Sequence, residues 1–269
     1  MNKLVSKFLS KHKIGIFIIS RFHSKRLNKK ASLKILGKNL IEILILRLKV
    51  YIPSNKIIIC TSKHNNNNLF YKKIAKKNNI KLFMGEEKNV LKRIIDCMKL
   101  YNLKHFVRIT GDNPMTDIKA VLNLSKQHIK NKNDYTFTNS LPMGTKPEVF
   151  SLKALERNYD YIVHLDSTEY LTYYFLRKDL YKIQKVNFKK INKKQNLYSI
   201  SINEKKDYLN LKKLFFNKKN LNVSRNNLIK FIMKFSKRKE KVKVNKINLK
   251  TKKYNATYKF DKPNKYIKI

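Results

Sequence analysis

HFVRITGDNP, residues 105–114, reads as a buried strand that runs directly into a turn. Its first six residues are mostly apolar and β-branched, Gly111 lets the chain turn, and Pro114 can open the helix that follows. Upstream, EKNVLKRIIDCMKLY at 87–101 has helical apolar spacing, and downstream a helix fits 117–130. Three further short apolar runs read as buried strands: IGIFIIS at 14–20, IIICTS at 57–62 and IKLFMG at 80–85. Helices are expected between them at 38–50 and 69–78, and a further strand at 134–139. Strands alternating with helices predict an α/β fold, a mostly parallel sheet with helices on both faces.

Beyond about residue 145 the order changes. EVFS at 148–151 reads as a strand, 151–159 and 166–178 as helices, and 198–203 as a strand by alternation. Helices are expected at 204–217 and 223–235. Residues 236–269 hold many Lys and no Gly, and suit either a peripheral β-ribbon or a basic tail. The expected division is a basic segment at 1–13, one domain at 14–220, and a basic extension at 221–269.

The 269 residues include 63 Lys plus Arg against 17 Asp plus Glu, a net charge of +46. The excess is spread along the chain rather than gathered in one arm, so a nucleic-acid partner is not expected. A positive field still steers anions such as nucleotide triphosphates. No run of 18 apolar residues occurs, and no apolar core with a cleavage site follows the basic start, so neither a membrane span nor a secretory leader is expected. Cys60 and Cys97 have no CxxC spacing, which argues against a disulfide scaffold and suits a reducing cytoplasm. The histidines show no ligand spacing for a metal, and Ser24 lacks the context of a nucleophile elbow.

In an open α/β sheet, sites lie outside the carboxyl ends of the strands. The loop after the first strand, SRFHSKRLNKK at 20–30, carries Arg21, Ser24, Lys25, Arg26, Lys29 and Lys30. Cations, a hydroxyl and backbone N–H groups are what a triphosphate needs, although a solvated basic turn fits the same composition. The loop is neither a P-loop nor a GxGxxG turn. On the second loop, Asp112 presents a carboxylate at a strand end. It can serve as a Mg²⁺ ligand or simply as a turn residue.

These loops, in this order, resemble the cytidylyltransferases that activate acidic sugars with CTP, and within them the SpsF-like spore-coat polysaccharide branch. The family's first loop runs A-R-x-G-S-x-R-L-P-x-K, and Arg21, Ser24, Arg26, Leu27 and Lys30 match it. VRITGDNPMTD at 107–117 resembles V-R-I-T-G-D-x-P-L-x-D, MGEEKNVLKR at 84–93 resembles R-G-S-E-x-D-V-L-x-R, and PEVFSLKALE at 147–156 resembles D-V-E-V-F-S-x-x-A-L-E. Weaker echoes are STEYLT at 167–172 and SINEKKDYL at 201–209, so the resemblance spans roughly 14–215.

The resemblance implies a nucleotide-diphospho-sugar transferase fold of Rossmann-like, GT-A type. It implies transfer of CMP from CTP to a sugar, acidic or nonulosonic, with release of pyrophosphate, for surface polysaccharide or glycan synthesis. Arg21, Arg26 and Lys30 would hold the triphosphate, with Ser24, Thr61, Arg108 and Gly111 near the nucleotide. Glu148 and Glu169 would face the sugar, and Asp112 with Asn203 would hold Mg²⁺. Enzymes of the family are often dimers, so a homodimer is an expectation that comes from the resemblance. Four positions depart from the pattern: His23 replaces Gly, Asn28 replaces Pro, Lys146 replaces an acid, and Asn203 replaces a second metal-binding Asp. Two other readings follow from these departures and the charge: a homologue that binds nucleotide without turnover, or a basic nucleic-acid-binding protein on the same fold.

Overall fold

A computed structural model describes residues 2–21, 27, 29–63, 65–161, 175, 177, 179–188, 199–216, 221 and 223–235. The first helix, α1 (Asn2–Lys11), leads into β1 (Ile14–Ile19), an inner strand of the sheet. A small antiparallel ribbon follows, β2 (Lys34–Ile35) and β3 (Lys38–Asn39), and then α2 (Leu40–Lys49). The chain continues through β4 (Ile57–Ser62), α3 (Asn65–Asn78), β5 (Lys81–Gly85), α4 (Val90–Leu100), β6 (His105–Thr110) and α5 (Ile118–Lys130). It then forms β7 (Tyr135–Phe137), β8 (Glu148–Ser151), α6 (Leu152–Tyr161), β9 (Ile183–Lys185), α7 (Lys205–Leu214) and α8 (Arg225–Phe235).

The seven-stranded sheet has the order β5-β4-β1-β6-β8-β7-β9. Every pairing is parallel except those of β8, which runs against both β6 and β7. The expected mostly parallel sheet is therefore present. Its strands carry apolar residues on both sides because both faces are covered. On one face Ile16, Ile18, Val107 and Ile109 pack against α2, α3 and α5. On the other, Phe17, Phe106 and Phe150 pack against α4 and α6.

A third cluster positions the site. Ile35 of the ribbon, Leu40 and Ile43 of α2, Met115 after β6, Ile202, and Leu211 of α7 bury one another. Sequence separations of more than a hundred residues thus close around the turn that follows β6.

Several sequence expectations need correction. The helix expected from 38 starts at Leu40, because Lys38 and Asn39 pair with the ribbon and Asn39 then forms a capping box with Glu42. Residues 198–203, read as a strand, make only a single bridge, Met143 to Ser199, among the described residues. The basic stretch at 1–13 is not separate from the fold, since α1 sends fully buried Leu9 into the core. Likewise α8 packs Leu228 into the third cluster, so the extension expected from 221 begins with a docked helix. The helix expected at 166–178 and all of 236–269 lie outside the described residues or nearly so.

Candidate active site

The two loops singled out from the sequence meet. Lys30 opens a single 3₁₀ turn, Lys30–Ser32, after Lys29 adopts left-handed backbone at φ 52°. From there its ammonium reaches 82 residues along the chain to Asp112 Oδ2, at 2.6 Å. The same ammonium donates to the Ile202 carbonyl at 3.2 Å, and the Ile202 N–H donates to the Asp112 carbonyl at 3.1 Å. Asn203 is therefore carried in next to Asp112 by the backbone of its neighbour. Burial opposes ionisation of Asp112, but the Lys30 ammonium and its hydrogen bonds outweigh it and hold the carboxyl below its ordinary range.

Gly111 matters at the base of this site. A Cβ there would lie 2.5 Å from Ser20 Oγ, so the ends of β1 and β6 approach this closely only because the position is Gly. Ser20 Oγ in turn shares a 2.6 Å hydrogen bond with the Tyr71 hydroxyl, whose burial pushes the phenol up. Two further groups lie at the same edge of the sheet. Thr61 is fully buried, with no partner for its hydroxyl among the described residues, and Arg93 ties α4 to the carbonyl of Glu86 at 2.8 Å. Arg21 is exposed at the end of β1.

A second polar group sits further along. Arg108 and Glu148 face each other across the β6–β8 pairing and form an ion pair. The Tyr135 hydroxyl donates to the other Glu148 oxygen at 2.6 Å. Glu148 is thus held at both oxygens by strands on either side. Lys146 is half-buried in the connection between β7 and β8.

The loop 143–145 and the segment 199–203 are laced together around Gly144, whose φ of +86° is open to Gly at little cost. A Cβ there would meet the Ser201 nitrogen at 2.4 Å. Ile200 N–H donates to the Met143 carbonyl at 2.9 Å, and Asn203 and Glu204 N–H both donate to Asp207 Oδ2.

Of the expected site residues, the structure brings Lys30, Asp112, Gly111 and Asn203 together, and pairs Arg108 with Glu148. Thr61 is close in the fold but sealed from solvent. Ser24, Arg26, Glu169, His23 and Asn28 lie outside the described residues. Sequence reading missed Ser20, Tyr71 and Tyr135, whose hydroxyls are ordinary until the fold assembles their partners. It also missed Arg47, which had a signal: with Glu42 it is one of two charges among the buried residues of a helix that is otherwise apolar up to its last residue.

Among the described residues, no group of three or more His, Cys, Asp or Glu side chains could hold a metal. The donor at the Lys30 turn is one carboxylate, that of Asp112, with the backbone that leads into Asn203 alongside it. That suits a Mg²⁺ ion taking most of its oxygens from phosphate and water, and not an all-protein cage.

Comparison with known proteins gives this geometry a lineage. The sequence model of the family Cytidylyltransferase matches residues 16–256. The chain belongs to the cytidylyltransferase family. An uncharacterized protein of Methanocaldococcus jannaschii is 34% identical over 171 residues, 63% of this chain and 70% of that protein. The spore coat polysaccharide biosynthesis protein SpsF of Bacillus subtilis is 27% identical over 216 residues, covering 74% of this chain and 85% of its own. Among solved structures, a cytidylyltransferase from Leptospira borgpetersenii superposes with a TM-score of 0.73 at 24% identity, covering 82% of this chain and 94% of that one. This cytidylyltransferase-family chain is thus a nucleotidyltransferase, as its two loops led one to expect. None of the helices in its described residues is long and apolar enough to cross a membrane.

Proposed function

We propose that the protein transfers CMP from CTP to a sugar hydroxyl, releasing pyrophosphate, with an acidic or nonulosonic sugar as acceptor. The observation that carries this reading is the 2.6 Å approach of Lys30 to Asp112, which unites a phosphate-binding cation and a metal-binding carboxylate from distant loops. The sugar hydroxyl attacks the α-phosphorus of CTP and forms a P–O bond, its proton is lost to solvent, and the bond from the α-phosphorus to the bridging oxygen breaks, the electron pair leaving with pyrophosphate. Such transfers need positioning and charge neutralisation more than covalent chemistry.

In this scheme Lys30 and Arg21 offset charge on the triphosphate and the departing pyrophosphate, with Arg26 and Ser24 contributing from the same loop. Gly111 leaves room for the β1 and β6 ends to converge beneath the nucleotide. Asp112 and Asn203 would hold Mg²⁺, which would supply positive charge to offset that of the phosphates. Lys30 also keeps Asp112 ionised and ready for that role. Glu148 lines the sugar side, with Glu169 assigned there by resemblance, and Arg108, paired with Glu148, stands on the nucleotide side. Glu148 is held at both oxygens by Arg108 and Tyr135, which fixes the orientation of the group on that side. The name of the Bacillus relative supports a role in surface polysaccharide synthesis, and we place the enzyme in the cytoplasm as a homodimer.

One observation favours a second reading. Asn203 is neutral where the family tends to carry an acid, which weakens a metal site and fits a homologue that binds nucleotide without turnover.

Thermal unfolding with CTP, UTP, ATP and GTP, each with and without Mg²⁺, tests the proposal without knowledge of the sugar. A ligand at about 100 times its Kd raises Tm by about 5–10 °C for a chain of this size. A Mg²⁺-dependent shift with CTP and not the others is expected. Equal small shifts with all four would mean generic polyanion binding to a basic protein. A CTP-specific shift with no pyrophosphate release across a panel of acidic sugars would select the second reading.

A further inference from the structure

Arg47 lies in the last turn of α2, on a face where its neighbours in the helix are Leu and Ile, and it is only 9% exposed. Burial draws its guanidinium down to about 10, yet it stays charged at neutral pH. An apolar side chain would pack at this place with no desolvation cost, so the charge needs a local reason.

That reason is on the turn after β6. Arg47 donates from one guanidinium nitrogen to the carbonyls of Pro114, at 2.8 Å, and Thr116, at 3.1 Å. Asp117, whose carboxylate is bound by Arg225 and caps α5, offsets the buried charge from close by. The gripped segment begins two residues after Asp112.

The other end of the same body carries Lys30. Its 3₁₀ turn and the ribbon lead straight into α2, and the Leu40 N–H donates to the Leu33 carbonyl at 2.9 Å. Residues 30–49 therefore hold the turn 112–116 at two points: Lys30 on the Asp112 carboxylate and Arg47 on two carbonyls beyond it. Without Arg47 the carbonyls of Pro114 and Thr116 lose their side-chain donor, and the segment beyond Asp112 is left to its backbone bonds and the burial of Met115.

We propose that Arg47 is a positioning residue that sets the Asp112 turn against Lys30, without itself touching nucleotide or sugar. The consequence for catalysis rests on the reading of Asp112 given above, whereas the consequence for the turn does not. A misplacement of about 1 Å at such a carboxylate costs up to roughly 100-fold in function.

The test uses the full chain with Arg47→Met, Arg47→Lys and, as a control for lost stability alone, Leu124→Ala in the core face of α5. Hydrogen exchange is followed in 110–117, where the N–H groups of Asn113, Thr116 and Asp117 are all bonded to carbonyls. CTP affinity is measured in parallel from thermal shifts with and without Mg²⁺. In Arg47→Met, exchange in 110–117 should accelerate while β6 and the body of α5 keep their protection, and Mg²⁺-dependent CTP affinity should fall about tenfold or more. Arg47→Lys, which keeps a donor, should recover part of both. Leu124→Ala should lower Tm and leave both readouts in place. Should Arg47→Met fail to fold, Arg47→Lys carries the comparison, with faster exchange in 110–117 than wild type still expected.

Wild-type protection of 110–117 in the Arg47 variants would overturn the proposal, as would an equal loss in Leu124→Ala. A wild-type protein with no Mg²⁺-dependent response to CTP would instead sink the enzymatic reading, and the exchange comparison would still decide the role of Arg47.

Discussion

Tyr135 donates its hydroxyl hydrogen to Glu148 at 2.6 Å, across two antiparallel strands, while Arg108 holds the other carboxylate oxygen from the opposite side. All three side chains share one face of the sheet. Replacing Glu148 with Gln leaves the Arg108 guanidinium largely buried without its counter-charge. Glu148→Gln should cost about 1–3 kcal/mol and Tyr135→Phe about 1 kcal/mol, read from denaturant midpoints at constant m-value. If both variants unfold at the wild-type midpoint, the triad is not a stabilising unit.

Lys30→Met removes the charge that opposes desolvation at Asp112. In the wild type the depressed carboxyl contributes stability above its ordinary pKa of 3.8, and that contribution is lost as pH falls through the lower folded value. In Lys30→Met, burial is left as the largest influence, and the Asp112 pKa should rise above 3.8. Carbon-detected NMR titration of the side-chain carboxyl gives the answer directly. An unmoved pKa would mean that Lys30 does not hold Asp112 in solution.

Acid sensitivity should come from the far end of the sheet. His105 and His128 hydrogen-bond ring to ring at 3.1 Å, and His128 also bonds Thr136 at 2.9 Å. Burial lowers His105 from 6.5 to about 4 and His128 to about 3. Both folded values lie below the unfolded one, so the unfolded chain binds more protons as pH falls. Stability should be unaffected by this pair above about pH 7 and decline between about 6.5 and 4, by up to roughly 1.4 kcal/mol per pH unit for each ring. Urea denaturation at pH 7.5, 6 and 5 measures the slope, and His128→Gln should flatten it.

Gly144→Ala should loosen the segment that carries Asn203. The added Cβ would meet the Ser201 nitrogen at 2.4 Å, and φ is +86°, so both space and backbone oppose it. A loss of about 1–3 kcal/mol is expected, with faster hydrogen exchange at Ile200 and Ile202. Wild-type exchange there would show that Gly144 does not govern this contact.

Asn203→Asp bears on the metal site. A second carboxylate beside Asp112 should lower the Mg²⁺ concentration that half-saturates the CTP-dependent thermal shift, since Asn ligates Mg²⁺ more weakly than Asp. An unchanged half-saturation would place residue 203 outside the metal's reach.

The strands at 14–19, 57–62, 81–85 and 105–110 were legible because each is a short apolar run between helices of amphipathic spacing. Boundaries were less so: whether Lys38 and Asn39 belong to a helix or a ribbon depends on pairing with Lys34 and Ile35, which spacing does not reveal. For the site, Lys30 and Asp112 could be marked as strand-end residues of suitable chemistry. Arg47 carries only the weak mark it shares with Glu42, a charge within an apolar helical run, and Tyr135 and Ser20 carry no local mark at all.

The sequence by itself determined the class of fold, since the alternation of buried strands and amphipathic helices admits few layered arrangements. It also determined the chemical types available at the strand ends, because those types belong to residues and not to contacts. Only the tertiary structure decided which of them meet. Lys30 and Asp112 are 82 residues apart, and Ile202 joins them from still further along the chain. Such proximity is set by sheet order and by the shared burial of Ile35, Met115 and Ile202, where local propensity has no reach.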